Sequence, residues 1–416
     1  MKIRFVLPEM AEGGLRSAAQ RLALALFEQG HDCDVVGGAP SPNDGHVHQV
    51  VASSLPSPES PIDDPLRLSR ELASGSPDLL VVADGRPELL QLAAEIAPTL
   101  LHSHMHWAVC PDTTRYWNRT DTECQVTAGW KCLALRPLVG CSGRRRVLQP
   151  GHVATQRRLA TLLAVGQVGS LAISSYQSEM LLTAGISPDK VAVIPNLGMR
   201  LGVDELVRAA SETPPSDRST VVYLGRLSKE KGARLLPELA THLSPDMLRV
   251  FGDGYLTAEL RPQLGPALRG HISQQEVAGV LQWARAVVFP SLWPEPGGIV
   301  GIDAQLFGAP LAAFRRGAAL DWPKAALFPP GDAAAIGDWA QGQPLLTEPR
   351  SAEEIAVRQN VFWELVSARA DRLLSEFAAR GRFTHDDTGD EKAVGKDLQA
   401  ACWAGVNPES GDREPL

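Results

Sequence analysis

Two acidic residues stand eight positions apart in the stretch PEPGGIVGIDAQLFGAP, residues 294–310. Glu295 precedes a proline and two glycines that interrupt regular structure, so we expect it in a loop just before a helix. Asp303 falls inside that helix among apolar residues, where a carboxylate needs a partner. A carboxylate just before a helix can accept hydrogen bonds from sugar hydroxyls, while the free backbone N–H groups of that helix can face a phosphate or a hydroxyl. Helix capping is the alternative for Glu295, but it does not account for Asp303.

Two cationic residues flank a short turn in YLGRLSKEKGARLL, residues 223–236. Because the turn joins a strand to a helix, Arg226 and Lys231 can both point back over the end of the strand. That geometry suits the clamping of a diphosphate and its stabilisation as it leaves. The alternative is a pair of solvated charges, but a lysine at a helix start is unfavourable for the helix dipole. The placement therefore favours a functional role.

A glycine pair, Gly13 and Gly14, follows the first strand and opens a helix. Glycines at such a place let backbone N–H groups approach an anion closely. A tight turn without a ligand is an equal alternative, because the G-x-G-x-x-G dinucleotide fingerprint is absent.

Three histidines alternate after a strand in LLHSHMHWAVC. His102, His104 and His106 share one face if the strand continues through them. One interpretation is a metal site, and the other is that one of them lines an active site.

Four of the six cysteines, Cys110, Cys124, Cys132 and Cys141, fall within one short segment. Their spacing lacks the C-x2-C pairs of common zinc modules, so a structural zinc site is one hypothesis among three. The others are a disulfide, which is rare in the cytoplasm, and four buried reduced thiols. The basic run Arg144-Arg145-Arg146 follows this segment and is either a solvated face or a site for an anionic acceptor.

Apolar runs of strand length alternate with helical patterns along most of the chain, which is typical of βα units around a parallel sheet. Residues 1–195 form one such series and residues 220–350 a second. We expect the segment between them, 196–219, to be a linker. The sequence therefore predicts an α/β protein with two doubly wound, Rossmann-like domains that face a cleft. In such sheets ligands bind outside the carboxyl ends of the strands.

Three further segments have their own expected organisation. Residues 107–150 are predicted to form a cysteine-containing excursion from the first domain. The helical pattern at 351–380 either crosses between the halves or caps the second one. The polar tail at 406–416 has no apolar face and is expected to be disordered.

The 416 residues carry a formal net charge of −8, which argues against a polyanion-binding surface and against nucleic acid as a partner. No apolar run reaches the about 18 residues of a membrane span, and the N-terminus is too quickly interrupted for a signal peptide. We expect a cytoplasmic protein without a transmembrane segment, and peripheral contact with a membrane surface stays open.

The second half resembles the nucleotide-sugar-binding domain of retaining GT-B glycosyltransferases of the family 4 type. Three motifs in the family's order carry the resemblance: GRLSKEKG, FGDGYL and FPSLWPEPGGIVGIDAQLFGAPLAA. The resemblance spans about residues 1–345 and is weaker in the middle. It implies that the first half is the acceptor domain, with EMAEGG as its phosphate-side glycine loop.

The resemblance also implies roles for the residues singled out above. Arg226 and Lys231 hold the donor's diphosphate, Glu295 contacts the transferred sugar, and Asp303 contacts the nucleotide ribose. Asp303 stands where the family has glutamate, so the reach to the ribose is one methylene shorter. Gly297 stands where many members have phenylalanine, which widens the sugar pocket.

Five further residues receive roles from the same resemblance. The backbone of Gly298 faces the transferred sugar together with that of Gly297, and the loop at Gly254 approaches the base. Gly13 and Gly14 belong to the phosphate-side loop. His104 matches the histidine that lines the family's active site near the reacting sugar.

The function implied is metal-independent transfer of a sugar from a nucleoside diphosphate sugar to a hydroxyl acceptor, with retention of configuration and without a catalytic cofactor. Double displacement needs a carboxylate nucleophile under the anomeric carbon, and the sequence offers no convincing one. Front-face attack is therefore favoured, with the donor phosphate helping to deprotonate the acceptor.

The acceptor stays unspecified as a small molecule or a glycan or glycolipid precursor. The alternatives are a GT-B epimerase or phosphorylase and a non-catalytic subunit that binds a sugar nucleotide.

Overall fold

The protein is described here by a computed structural model that covers residues 1–7, 14–37, 48–50, 62, 64–141, 149–166 and 168–384. The predicted tail at 406–416 lies outside these residues. The chain forms two compact units. The first contains Met1–Arg115, Gln125–Leu197 and the chain from Glu364, and the second contains Tyr116–Cys124 and Gly198–Trp363.

The first half of the chain alternates strands and helices as the apolar pattern predicts. Its strands are β1 (Lys2–Val6), β2 (Asp32–Val36), β3 (His48–Val50), β4 (Leu79–Val82), β5 (Thr99–Ser103), β6 (Tyr116–Trp117), β7 (Thr122–Glu123), β8 (Val168–Ala172) and β9 (Val191–Val193). Its helices are α1 (Gly14–Glu28), α2 (Pro65–Ala73), α3 (Pro87–Ala94), α4 (Lys131–Val139), α5 (Pro150–Val165) and α6 (Ser175–Thr183).

The first unit is built on a parallel sheet of seven strands in the order β3-β2-β1-β4-β5-β8-β9. Strands β4, β5 and β8 are buried along their whole length because helices cover both faces of the sheet. The strand order reverses between β1 and β4. The loops that follow these strands therefore open at the switch point of the sheet, where doubly wound folds bind ligands.

The second half repeats the alternation. Its strands are β10 (Val221–Leu224), β11 (Leu248–Phe251), β12 (Leu268–Gly270), β13 (Ala286–Phe289), β14 (Leu311–Phe314) and β15 (Ala325–Phe328). Its helices are α7 (Val203–Glu212), α8 (Leu236–Thr241), α9 (Thr257–Leu264), α10 (Gln274–Trp283), α11 (Ile299–Leu306), α12 (Ala333–Gln341) and α13 (Ala352–Arg380).

The sheet of the second unit has six strands in the order β12-β11-β10-β13-β14-β15, and all its pairs are parallel. Counted within this sheet, the order is 3-2-1-4-5-6, which is that of dinucleotide-binding folds. Its switch point lies between β10 and β13. The predicted doubly wound α/β architecture is confirmed in both units.

The segment 196–219, which we expected to be a linker, contains helix α7 and belongs to the second unit from Gly198 onwards. The Glu205 carboxylate accepts a hydrogen bond from the Gly202 N–H at 2.8 Å and so caps the start of this helix. Its apolar face packs on α10 so closely that a Cβ at Gly279 would lie 2.3 Å from the Ala209 carbonyl oxygen. A search for strand patterns misses such an amphipathic helix, because its apolar residues follow the helical period rather than forming a continuous run.

Helix α13 supplies residues to both units, since the division of the chain falls between Trp363 and Glu364. In the second unit, Trp363 Nε1 donates to the Gly198 carbonyl at 3.1 Å. In the first unit, Phe377 packs on β8, where a Cβ at Gly169 would lie 2.5 Å from the phenylalanine ring. Among the described helices, none is long and apolar enough to cross a membrane.

Strands β6 and β7 form a small antiparallel hairpin with Tyr116 opposite Glu123. This hairpin lies within the excursion predicted at 107–150, but it packs with the second unit rather than the first. Its local sequence is too short and too polar to predict either the pairing or the packing partner.

Candidate functional site

Two loops meet at the switch point of the second sheet: residues 225–232 after β10 and residues 290–298 after β13. The Glu230 carbonyl accepts hydrogen bonds from the N–H groups of Leu292 and Trp293, at 2.9 and 3.1 Å. Gly232 has a φ of +72°, and a Cβ there would lie 1.8 Å from the Pro290 carbonyl oxygen. The loops are therefore joined backbone to backbone, and only glycine permits the approach.

The contact between the loops brings Lys231 and Glu295 together, although they are far apart in sequence. Lys231 Nζ forms an ion pair with Glu295 Oε1, and Ser291 Oγ donates to the same oxygen at 2.9 Å. Glu295 is only 4% exposed, and these two partners offset the cost of burying its carboxylate. Lys231 also lies over the ring of Trp293, 5.4 Å from its centroid.

The other predicted cation, Arg226, lies at the start of the first loop with nearly half of its side chain exposed. It pairs with Glu230 at 3.2 Å. The Tyr223 hydroxyl donates to the Arg226 carbonyl at 2.9 Å and so fixes the backbone at this point. Burial and the charges of Glu295 and Glu230 raise the pKa of Tyr223 far above its ordinary value. The tyrosine is therefore a neutral hydrogen-bond donor beneath the loop.

The loop after β11 packs against the loop after β10. A Cβ at Gly254 would lie 2.3 Å from the Leu227 carbonyl oxygen, and one at Gly252 would lie 2.0 Å from that of Gly225. The Leu227 N–H donates to the Asp253 carbonyl at 2.9 Å. Gly254, predicted near the base of a nucleotide, thus lies against the loop that carries Arg226.

The glycines after Glu295 shape the start of α11. Gly298 adopts a φ of +67° immediately before the helix, and Gly297 is buried. A Cβ at Gly298 or at Gly301 would lie 2.7 or 2.2 Å from the ring of Trp322. Small residues are therefore required at both positions, and the helix begins at Ile299, four residues after Glu295.

Asp303 is buried in α11 at 6% exposure. Its Oδ1 accepts a hydrogen bond from the Met199 N–H at 2.6 Å. A Cβ at the neighbouring Gly198 would lie 2.8 Å from the same oxygen. The shorter acid thus holds the chain before α7 against α11, a partner that the sequence does not reveal. Its contact with a ribose stays a prediction.

The histidines lie in the first unit. Strand β5 ends at Ser103, so the condition for all three histidines to share one face of a strand is not met. His104 Nε2 and His102 Nδ1 are nevertheless 3.1 Å apart, with His102 buried and His104 half-buried. His106 is buried edge-on against Tyr176. The strand end therefore carries a histidine pair rather than a row of three.

Both paired histidines are neutral near pH 7. Burial lowers the pKa of His102 to about 4, and burial together with the neighbouring His102 lowers that of His104 well below its ordinary value. The unfolded chain binds protons at these positions below about pH 6.5 while the folded chain does not. We expect the free energy of unfolding to fall as the pH drops from 6.5 towards 4, as measured by urea titrations. His102→Gln should flatten this slope, and an unchanged slope would contradict the prediction.

The hypothesis of a structural zinc site is not supported. Across the described part of the chain, no group of three or more His, Cys, Asp or Glu side chains could hold a metal ion. The four clustered cysteines are present as half-buried thiols. Cys124 belongs to the second unit and the other three cysteines belong to the first. The reason is that Tyr116–Cys124, which contains the hairpin of β6 and β7, packs with the second unit while the residues on either side pack with the first.

Two predicted features fall partly or wholly outside the described residues. Gly14 is the first residue of α1, but Gly13 is not described. The basic run at 144–146 lies in an undescribed interval as well. The predicted anion-binding roles of both stretches stay predictions.

Sequence reasoning missed Ser291 and Tyr223, which orient Glu295 and the Arg226 backbone. Ser291 stands four residues before Glu295 in the same motif, and this spacing is the signal that could have identified it. Tyr223 lies in a strand, where its side chain reads as core, so no local signal separates it from packing residues.

The close approach at Gly232 gives a test of how the loops depend on each other. We expect Gly232→Ala to lower the free energy of unfolding by at least about 1–2 kcal/mol, the cost of the left-handed conformation alone, and to separate Lys231 from Glu295. Gly331 also has a positive φ, +92°, but a Cβ there meets nothing within 4 Å. Gly331→Ala is therefore the matched control in thermal unfolding, and an equal loss in both variants would refute the collision.

Two protein-family models match separate parts of the chain, "Glycosyltransferase Family 4" at residues 12–197 and "Glycosyl transferases group 1" at residues 218–341. Among solved structures, HepE of Anabaena in complex with UDP-glucose has 15% identity, covers 91% of this chain and 99% of that one, and has a TM-score of 0.58. AviGT4, a glycosyltransferase involved in avilamycin A biosynthesis, has 16% identity, coverages of 92% and 99%, and a TM-score of 0.55.

WaaG, a glycosyltransferase involved in lipopolysaccharide biosynthesis, has 15% identity, coverages of 97% and 100%, and a TM-score of 0.51. At these identities the likeness shows a shared fold, and the predicted GT-B class is confirmed. No curated protein sequence matches the chain.

Proposed function

Because this chain belongs to the family 4, group 1 glycosyltransferases, we propose that it moves a sugar from a nucleoside diphosphate sugar to a hydroxyl acceptor with retention of configuration. The observation that carries the proposal is the junction of Lys231 and Glu295 at the switch point of the second sheet. That is where a doubly wound sheet binds a nucleotide, and one loop there supplies cations while the other supplies a carboxylate.

The two cations serve the diphosphate in this proposal. Arg226 and Lys231 are paired with Glu230 and Glu295 in the structure, so they are held in place before a donor arrives. Cations positioned in advance stabilise the charge that develops on the leaving diphosphate, without reorganisation during the reaction. The helix N-terminus after Gly298 adds backbone N–H groups to the same region.

Glu295 is proposed to bind a hydroxyl of the transferred sugar. Both of its described side-chain contacts, with Lys231 and Ser291, are to Oε1. These contacts fix the orientation of the carboxylate, which is what the recognition of one sugar stereochemistry requires. Gly297 lies two residues after Glu295 and has no side chain, so we propose that it leaves room for the sugar ring.

Front-face attack is the proposed route to retention. Glu295 is an ion-paired carboxylate assigned to a hydroxyl rather than to the anomeric carbon, so the donor's phosphate oxygen takes the acceptor proton. His104 is proposed to line the active site as a neutral imidazole. It can then exchange hydrogen bonds with sugar hydroxyls without adding a positive charge.

The proposal is tested by incubating the protein with UDP-, GDP-, ADP- and dTDP-sugars and measuring release of the nucleoside diphosphate. UDP-glucose comes first, because the structurally similar HepE binds it. Release that is lost in Arg226→Ala and kept in Glu354→Gln, an exposed charge change on α13, supports the transferase. Tight donor binding without turnover with any acceptor would instead indicate a non-catalytic subunit. The anomeric configuration of the product, read by proton NMR, tests retention.

We also propose that no divalent metal takes part, and expect the rate to be unchanged by EDTA. The chain contains one D-x-D sequence in its described part, Asp32-Cys33-Asp34 in β2. Asp34 is buried there in an ion pair with Arg4 at 2.6 Å, so its carboxylate serves the fold rather than a metal ion. A loss of rate with EDTA that Mg²⁺ or Mn²⁺ restores would contradict the prediction.

A further inference from the structure

The hairpin Tyr116–Glu123 is fastened to the loops that carry the proposed diphosphate site. Lys229 Nζ donates to the Asn118 carbonyl and pairs with Asp121 Oδ1 at 3.1 Å. Arg316 Nη1 donates to the Asp121 carbonyl at 3.3 Å and also to that of Leu292. Lys229 lies between Arg226 and Lys231 in sequence, and Leu292 lies in the loop that carries Glu295. The hairpin therefore lies on the rim of the switch point.

The contact between Lys229 and Asp121 lowers the net positive charge at this rim. Arg226 and Glu230 cancel, and so do Lys231 and Glu295, so the four residues of the proposed clamp have no net charge. A nucleoside diphosphate is strongly anionic. Lys229 is a further cation on the same loop, and its ion pair with Asp121 neutralises it.

Asp121 is placed with unusual backbone geometry. Its φ is +55°, and Thr113 and Arg115 just before the hairpin have φ values of +67° and +53°. Such conformations are costly for residues other than glycine and persist only where the surroundings enforce them, often at ligand-binding segments. The buried Tyr116 donates its hydroxyl to Asp121 Oδ1, the oxygen that also meets Lys229. The carboxylate is therefore directed at the lysine by both backbone and side chain.

We propose that Lys229 is a further donor-binding cation, and that Asp121 is the counter-ion it holds until the donor's diphosphate replaces it. The inference rests on the proposed function, because it concerns the same site. Lys229 forms an ion pair with one oxygen of a carboxylate that is 43% exposed, so the exchange of one anion for another requires no deep rearrangement. A diphosphate supplies more negative charge to Lys229 than the single carboxylate does.

The decisive variant is Asp121→Asn, which removes the charge but keeps an oxygen for the Tyr116 hydroxyl. We expect it to bind inorganic diphosphate and UDP about three- to five-fold more tightly by isothermal titration calorimetry, with a steeper loss of affinity as salt rises. Lys229→Gln should weaken binding of both. In the Lys229→Gln background, Asp121→Asn should bring little further gain, because the partner of the carboxylate is gone.

The control for net charge is Glu354→Gln, which makes the same change on α13 and should leave both affinities unaltered. Unchanged or weaker diphosphate binding by Asp121→Asn would overturn the proposal, since the carboxylate would then not compete for Lys229. Thermal unfolding of each variant confirms that it is folded. Because inorganic diphosphate is itself a probe, the result does not depend on sugar transfer, and failure of the transferase assay would be distinguishable.

Discussion

Replacing Glu295 by glutamine is expected to lower kcat/KM for the donor by at least about 100-fold. Glutamine is nearly isosteric, so the loop keeps its shape. It carries no charge, however, and Lys231 loses the partner that holds it in place. The sugar then loses a charged hydrogen-bond acceptor, which is worth more than a neutral one.

Steady-state kinetics with the donor identified by the nucleotide-sugar panel measure this loss. Glu230→Gln is an informative comparison, because Glu230 pairs with Arg226 on the neighbouring loop but its carboxylate is not assigned to the sugar. It should cost much less than Glu295→Gln. If the two variants lose activity equally, Glu295 contributes only to the electrostatics of the loops and the assigned contact with the sugar is wrong.

The second large effect concerns stability. Asp303→Ala is expected to lower the free energy of unfolding by about 2–4 kcal/mol. The substitution leaves the buried Met199 N–H without its carboxylate acceptor and opens a void between α11 and the chain at Gly198. Urea denaturation followed by circular dichroism measures the change.

Asp303→Asn is the matched control, because it keeps an oxygen where Oδ1 accepts the hydrogen bond. It should lose much less stability than Asp303→Ala. The same pair of variants tests the predicted ribose contact: a donor KM that rises in Asp303→Asn without a loss of stability would support it. Equal and small losses of stability in both variants would show that the Met199 contact contributes little.

The strands and helices that place the site could be predicted because their signals are local. A buried parallel strand is a run of apolar residues, and the turn after it carries the glycines and charges that the nucleotide loop needs. The segments containing Arg226, Lys231 and Glu295 were therefore predicted at the ends of the correct strands. The pairing of Lys231 with Glu295 follows only once β10 and β13 are known to be neighbours.

Other features could not be predicted, because their partners are remote in sequence. Asp121 meets Lys229 across more than a hundred residues, and the hairpin that carries it leaves the predicted acceptor domain for the second unit. A structural zinc site was one of three hypotheses for the cysteine cluster, yet the excursion of the chain assigns its members to different units. Likewise, the alternating pattern of histidines does not show that two of them are paired, or that burial lowers their pKa values.

The sequence alone determined the two doubly wound halves, the family, and the residue types in the loops after β10 and β13, which we propose to bind the donor. Periodicity and motif spacing are properties of short stretches. The tertiary structure decided what each charge is paired with: Glu295 with Lys231, Asp303 with the Met199 backbone, and Asp121 with Lys229. The physical reason is that a buried or half-buried charge takes its partner from whatever the fold brings within about 3–4 Å, and distance in space is not encoded in distance along the chain.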